Sequence, residues 1–233
     1  MFKTRHRIRS FDPSVLVRTS PARPAQIQET YTPKHTCSDF GFPPQLVSNI
    51  TQRNYPALTP IQDQVIPLLL EGRDVIGLAN TGTGKTASFL LPFIKKVDQD
   101  RSQKVLIMAP TRELAVQIEE ELKSFSRHMR IFSALCIGGV SMQGQIRSLY
   151  PNPNFVIGTP GRLKDLATRR KIAFSSFNTV ILDEVDRMLD MGFIHNMTEI
   201  LLALPRQRQM AFFSATMTPP VQKVMNTFLK NPV

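Results

Sequence analysis

DVIGLANTGTGKTASFL, residues 74–90, decides the fold. An apolar run of strand length, Asp74 to Ala79, breaks into a glycine-rich turn and resumes as a helical pattern at Lys85. In ANTGTGKT (79–86), Ala79 stands in the first glycine position of the phosphate-binding loop pattern, with Thr81 and Thr83 beside the two loop glycines. Gly82 and Gly84 free the backbone to turn its N–H groups toward phosphate oxygens at a helix N-terminus. Lys85 is then placed to reach the β- and γ-phosphates, and the Thr86 hydroxyl to complete magnesium coordination.

Five more short runs rich in β-branched and apolar residues follow: KVLIMA (104–109), IFSALCI (131–137), FVIG (155–158), TVILD (179–183) and QMAFFS (209–214). Helix-length segments separate them. In Arg112 to Arg127, for example, Leu114, Ile118, Leu122 and Phe125 recur at helical spacing. Strands alternating with helices predict an α/β domain, a doubly wound and mainly parallel sheet with helices on both faces. Ligands of such sheets gather at the carboxyl ends of the strands. TVILDEVD (179–186) places acids at one of those ends, with Asp183 suited to hold magnesium through water and Glu184 to orient or deprotonate an attacking water.

Charge points to a polyanionic partner. Lys and Arg total 29 against 18 Asp and Glu, a net of +11. No apolar run reaches the length of a membrane span, so nucleic acid is favoured over a membrane surface. Residues 1–36 carry seven basic residues and two acids, a net of +5, with prolines at 13, 21, 24 and 33. Lacking apolar periodicity, they read as a flexible basic extension, either an electrostatic tether for nucleic acid or a solvated linker or solubility tail, ahead of a folded domain over 37–233. Cys37 and Cys136 are far apart with no CxxC partner, and the four histidines have no ligand spacing, so neither disulfides nor a transition-metal site is indicated.

With these motifs in hand, the chain from Cys37 to Val233 resembles the N-terminal RecA-like domain of the DEAD-box RNA helicases, with DEVD in place of the usual DEAD. NYPALTPIQ (54–62) looks like the adenine-reading Q motif, PTRELA (110–115) and TPGR (159–162) like two RNA motifs, Gly138-Gly139 like the glycine doublet, and SAT (214–216) like the coupling motif. The resemblance implies that Tyr55 stacks on adenine and that Gln62 bonds its N6 and N7 edge. It implies an RNA backbone lined by Pro110, Thr111, Arg112, Gly139, Thr159, Gly161 and Arg162. Such loops suit phosphate and 2′-OH groups and carry no base identity. It further implies that Ser214 and Thr216 hydrogen-bond toward Asp186, linking nucleotide to closure of the motor.

The cofactors expected are therefore ATP and Mg, and the partners are RNA and a second RecA-like domain in the intact protein. The resemblance also implies a cytoplasmic monomer, with the nucleus open to a eukaryotic one. The chain as given is expected to bind nucleotide without unwinding RNA. Two alternatives stay open, a non-catalytic nucleotide-responsive RNA-binding module and a DNA-directed translocase. Four positions depart from the family pattern: Val185 for alanine, Cys37 for an aromatic upstream of the Q motif, Leu58 for proline, and Asn80 in the phosphate loop.

Overall fold

A computed structural model describes residues 31–53, 55 and 57–233. The reading of the basic extension falls largely on residues 1–30, outside the described residues. Residues from Thr32 onward form one compact unit. Lys34 and His35 belong to it, because both backbone N–H groups donate to the Asp63 carboxylate at 2.9 Å, and His35 Nδ1 lies 2.8 Å from the same group. The folded unit thus starts earlier than the apolar pattern suggested, through polar bonds that periodicity does not register.

Among the described residues, six strands form a single sheet: β1 (Val75–Leu78), β2 (Val105–Met108), β3 (Ser133–Cys136), β4 (Phe155–Gly158), β5 (Thr179–Leu182) and β6 (Gln209–Ser214). Their order is β1-β6-β5-β2-β4-β3, and every pairing is parallel. Each of the six expected runs supplies one of these strands. Pleating sends alternate side chains to opposite faces, which divides the core into two layers. Val105 and Ile107 of β2, Phe155 and Ile157 of β4, and Ala211 and Phe213 of β6 face one cluster. Leu106, Met108, Val156, Met210 and Phe212 face the other. Both faces being covered, the strands read as unbroken apolar runs.

The first layer is closed by α1 (Pro44–Gln52), α2 (Pro60–Leu70), α3 (Lys85–Gln99) and α4 (Arg112–Phe125). The second is closed by α5 (Met142–Leu149), α6 (Pro160–Thr168), α7 (Val185–Asp190), α8 (Ile194–Leu202) and α9 (Pro219–Phe228). The chain crosses the sheet from β1 through β2 to β3 and returns through β4, β5 and β6. Right-handed crossovers in opposite directions place their helices on opposite faces, which is why the outward helices share one layer and the returning helices the other.

Helix α4 ends at Phe125, two residues before the expected Arg127. Ser126 closes it by donating both its N–H (2.8 Å) and its hydroxyl (2.7 Å) to the Leu122 carbonyl, and His128 follows at φ +65°. Of the expected apolar stripe, Ile118, Leu122 and Phe125 are buried, while Leu114 turns partly toward the cleft described below.

Candidate nucleotide and nucleic-acid site

Every motif singled out in the sequence, apart from the Q motif before β1, lies at the carboxyl edge of this sheet. Residues 79–86 follow β1, 110–112 follow β2, 138–139 follow β3, 159–162 follow β4, 183–186 follow β5, and 215–216 follow β6. Backbone bonds stitch this edge together: Ala79 N–H to Ser214 O (3.1 Å), Ala109 N–H to Gly158 O (3.0 Å), and Asp183 N–H to Met108 O (3.0 Å).

In the phosphate loop, Gly82 and Gly84 take φ +84° and +91°, the left-handed region that a side chain disfavours. Thr83 Oγ1 braces the turn by donating to Asn80 O at 2.8 Å. Lys85 is buried at the start of α3 and donates from Nζ to Ala79 O at 2.8 Å, so the cation folds back over its own loop. A cleft of about 230 Å³ opens here, lined by Tyr55, Thr81, Gly82, Gly84, Lys85, Thr86, Asp183 and Glu184 on one side and by Leu114, Gln117 and Glu121 of α4 on the other.

Asp183 is 2 % exposed, and burial drives its carboxyl up to about 6, while the Lys85 charge pulls the other way. A buried carboxylate in this condition, with the Thr86 hydroxyl also lining the cleft, offers the hard oxygen donors that a small divalent cation prefers. Glu184 adopts φ +54°, ψ +56°. Holding a non-glycine residue there costs on the order of 1–3 kcal/mol, the kind of strain that collects where a side chain must be aimed. Its carboxylate is held by Arg187 Nη1 at 3.2 Å and lies 3.4 Å from Thr81 Oγ1.

Gln62 is fully buried and does not line the cleft. Its Nε2 donates to Gly84 O (3.1 Å), and its Oε1 accepts the Thr59 N–H (3.1 Å), closing the N-terminal turn of α2. A base reader at this position must exchange one of these partners when nucleotide enters. Tyr55 does line the cleft, with its ring edge-on to Phe125 at 5.9 Å. Cys37 is half-buried against the first core layer, and Phe40 and Phe42 pack on each other at 5.5 Å within that core, so none of the three faces the cleft. Val185 is fully buried in the second layer, where the extra methyl groups find apolar contact.

A second concavity, of about 540 Å³, lies along the same edge and gathers Pro110, Thr111, Arg112, Gly138, Thr159, Gly161 and Arg162. Gly139 is not on its wall but sets its shape. A Cβ at Gly139 would fall 1.9 Å from Arg112 Nη1, so the guanidinium occupies the space the glycine leaves. Thr111 has a structural duty as well, its hydroxyl accepting the Leu114 N–H at 3.2 Å to cap α4. Arg162 Nη1 donates to Val140 O at 3.3 Å. Glu113, Asp165, Met191 and Phe193 also line this concavity, and sequence reading had missed them.

On the same edge, Asp186 Oδ2 accepts three bonds from the segment after β6: Thr216 N–H (2.9 Å), Thr216 Oγ1–H (2.9 Å) and Ala215 N–H (3.2 Å). Ser214 Oγ accepts the Asp186 N–H (3.3 Å) and donates to Thr216 O (2.9 Å). Asp186, Ser214 and Thr216 therefore form one hydrogen-bonded unit.

The family model described as DEAD/DEAH box helicase matches residues 59–224, which span this edge from the Thr59 cap of α2 into α9. The chain belongs to the DEAD/DEAH box helicase family. Similar members include the ATP-dependent RNA helicase CshA of Listeria monocytogenes, 46% identical over 198 residues, covering 84% of this chain and 38% of the relative. The RNA helicase CrhR of Synechocystis is 43% identical over 203 residues, covering 87% of this chain and 41% of the relative. A crystal structure of a DEAD box protein from Methanococcus jannaschii superimposes with a TM-score of 0.81 at 33% identity, over 85% of this chain and 55% of that one. This helicase-family chain thus spans about two fifths of the length of these curated relatives.

Proposed function

We propose that this chain is the ATP-binding core of an RNA-dependent ATPase, a helicase module that clamps one RNA strand by its sugar-phosphate backbone. The observation that supports this reading most is the placement of a phosphate loop, a strand-end Asp-Glu pair and a concavity carrying Arg112, Arg162 and two threonine hydroxyls along one sheet edge. Chemistry at such a site is mostly positioning and charge neutralisation. The loop N–H groups receive the phosphates, and Lys85 leaves Ala79 O to meet the γ-phosphate. Tyr55 and Gln62 take the base, and Glu184, aimed by its strained backbone and Arg187, orients water for in-line attack. Thr86 and Asp183 would hold magnesium, which supplies charge neutralisation across the phosphate oxygens.

Arg112, Arg162, Thr159 and the neighbouring backbone contact phosphate and 2′-OH groups, and Gly139 and Gly161 leave room for that backbone. Occupancy of the nucleotide cleft reaches this surface through the Asp186 bonds to residues 214–216. A second RecA-like domain completes the motor, and the basic N-terminal stretch adds sequence-independent affinity for RNA. The test is phosphate release by the protein carrying both domains. Single-stranded RNA should stimulate release well beyond DNA of equal length. Equal stimulation by DNA would favour a DNA translocase, and no release with intact nucleotide binding would favour the non-catalytic clamp.

A further inference from the structure

Of the three acidic side chains that line the nucleotide cleft, Asp183, Glu184 and Glu121, only Glu121 is left without work by the account above. It lies on α4, two turns beyond Leu114, on the face that looks into the cleft. The phosphate loop stands at one end of this space, and Tyr55, the residue proposed to carry the base, lines the same cleft. Burial raises the Tyr55 hydroxyl, with the Glu121 charge adding to it, and burial likewise raises the Glu121 carboxyl above the ordinary carboxylate range.

The decisive feature is one atom. Glu121 Oε2 is buried and has no hydrogen-bond partner, one of only three such side-chain atoms among the described residues. Arg53 and Gln117, one turn earlier, lie near enough to lower this carboxyl, yet neither supplies a donor to Oε2. Buried acceptors left empty are costly, and those at binding sites are filled by the ligand. At the base end of a nucleotide the available donor is an exocyclic amino group. Gln62, already spending its carboxamide on Gly84 and Thr59, can take at most one of that group's two N–H bonds.

We infer that Glu121 is a specificity-determining residue that accepts the second N–H of the adenine 6-amino group and repels the 6-carbonyl of guanine. The inference rests on the reading of the cleft as a nucleotide site and extends it to a residue outside the Q motif. A carboxylate only accepts, so the guanine carbonyl oxygen would meet two lone pairs with no proton between them. Selection by Glu121 therefore combines a bond to the right base with a repulsion against the wrong one.

The test is equilibrium binding of ATP, GTP and purine riboside triphosphate, which lacks the 6-amino group, to this chain and to two variants. Glu121→Leu keeps the bulk but removes the acceptor. It should weaken ATP by about tenfold, the loss expected for a hydrogen bond to a charged group, and leave the purine analogue unchanged, which also reports an intact fold. Glu121→Gln, whose amide can turn to donate, should narrow the gap between ATP and GTP. An ATP preference over the analogue that Glu121→Leu leaves undiminished, in a chain that still binds ATP, overturns the role of Glu121 alone. A wild-type chain that binds none of the three overturns the nucleotide site together with it.

Discussion

Lys85→Ala should abolish RNA-stimulated ATP turnover in the two-domain protein, with a loss of at least about 10²–10³-fold, the scale observed when one preorganised charge-stabilising donor is removed. The structure gives the loss two sources. The ammonium that would meet the transferring phosphate is gone. Asp183, which burial already drives up to about 6, also loses the neighbouring charge that pulls it down, so its carboxylate becomes a poorer cation ligand. The fold should survive, because Lys85 makes a single hydrogen bond, to Ala79 O, that a loop at the sheet edge can replace with water. Turnover in the variant equal to that of the wild type would exclude Lys85 from the chemistry.

Gly158→Ala should be among the most destabilising single changes in the chain. Gly158 ends β4 between two partners, Cys136 of β3 and Met108 of β2. A Cβ there would lie 2.2 Å from the Cys136 carbonyl oxygen, and that same oxygen accepts the Thr159 N–H at 3.1 Å. Backbone cannot rotate aside as a side chain can, so two strands must part. Overpacking of this kind costs about 3 kcal/mol or more, a fall in Tm of roughly 6–12 °C for a domain of this size. Gly161→Ala is the internal control. It sits in α6, three residues on, where an added Cβ would be 3.6 Å from its nearest neighbour, and its Tm should hold or rise. Equal effects of the two changes would contradict the packing described for β4.

The strands, their parallel pairing and the placing of six motifs along one sheet edge were legible in the sequence because each rests on a local signal. Apolar runs bounded by turns mark strands covered on both faces, and a loop such as 79–86 needs its glycines wherever it occurs. Three features were not legible, for physical reasons. Arg112 and Gly139 lie 27 positions apart, and nothing local shows that one leaves space for the other. Glu121 looked like part of an ordinary charged helix face, since Glu119, Glu120 and Glu121 follow one another and only the tertiary structure sets the half-buried Glu121 on the wall of the cleft. The one trace was Gln117 and Glu121 recurring a turn apart beside the apolar stripe. The resemblance implies a base reader at Gln62, but the bonds of Gln62 to Gly84 and Thr59 emerge only once α2 and α3 are packed together.

Those bonds bear on how the module responds to nucleotide. Gln62 fastens the start of α2 to the last residue of the phosphate loop, and Lys85 fastens the loop's two ends together. On the proposed function, nucleotide entry exchanges both contacts for bonds to the ligand.

Amide hydrogen exchange on this chain, with ATP and magnesium and then with single-stranded RNA, tests the central claim most directly. ATP with magnesium should protect residues 79–86 and 183–186, and RNA should protect 110–112, 138–139 and 159–162. The opposite end of the sheet, around Lys104 and Asn152 to Asn154, should exchange at an unchanged rate with either ligand. Protection at that opposite end, or none at 79–86 with saturating ATP, would contradict the account.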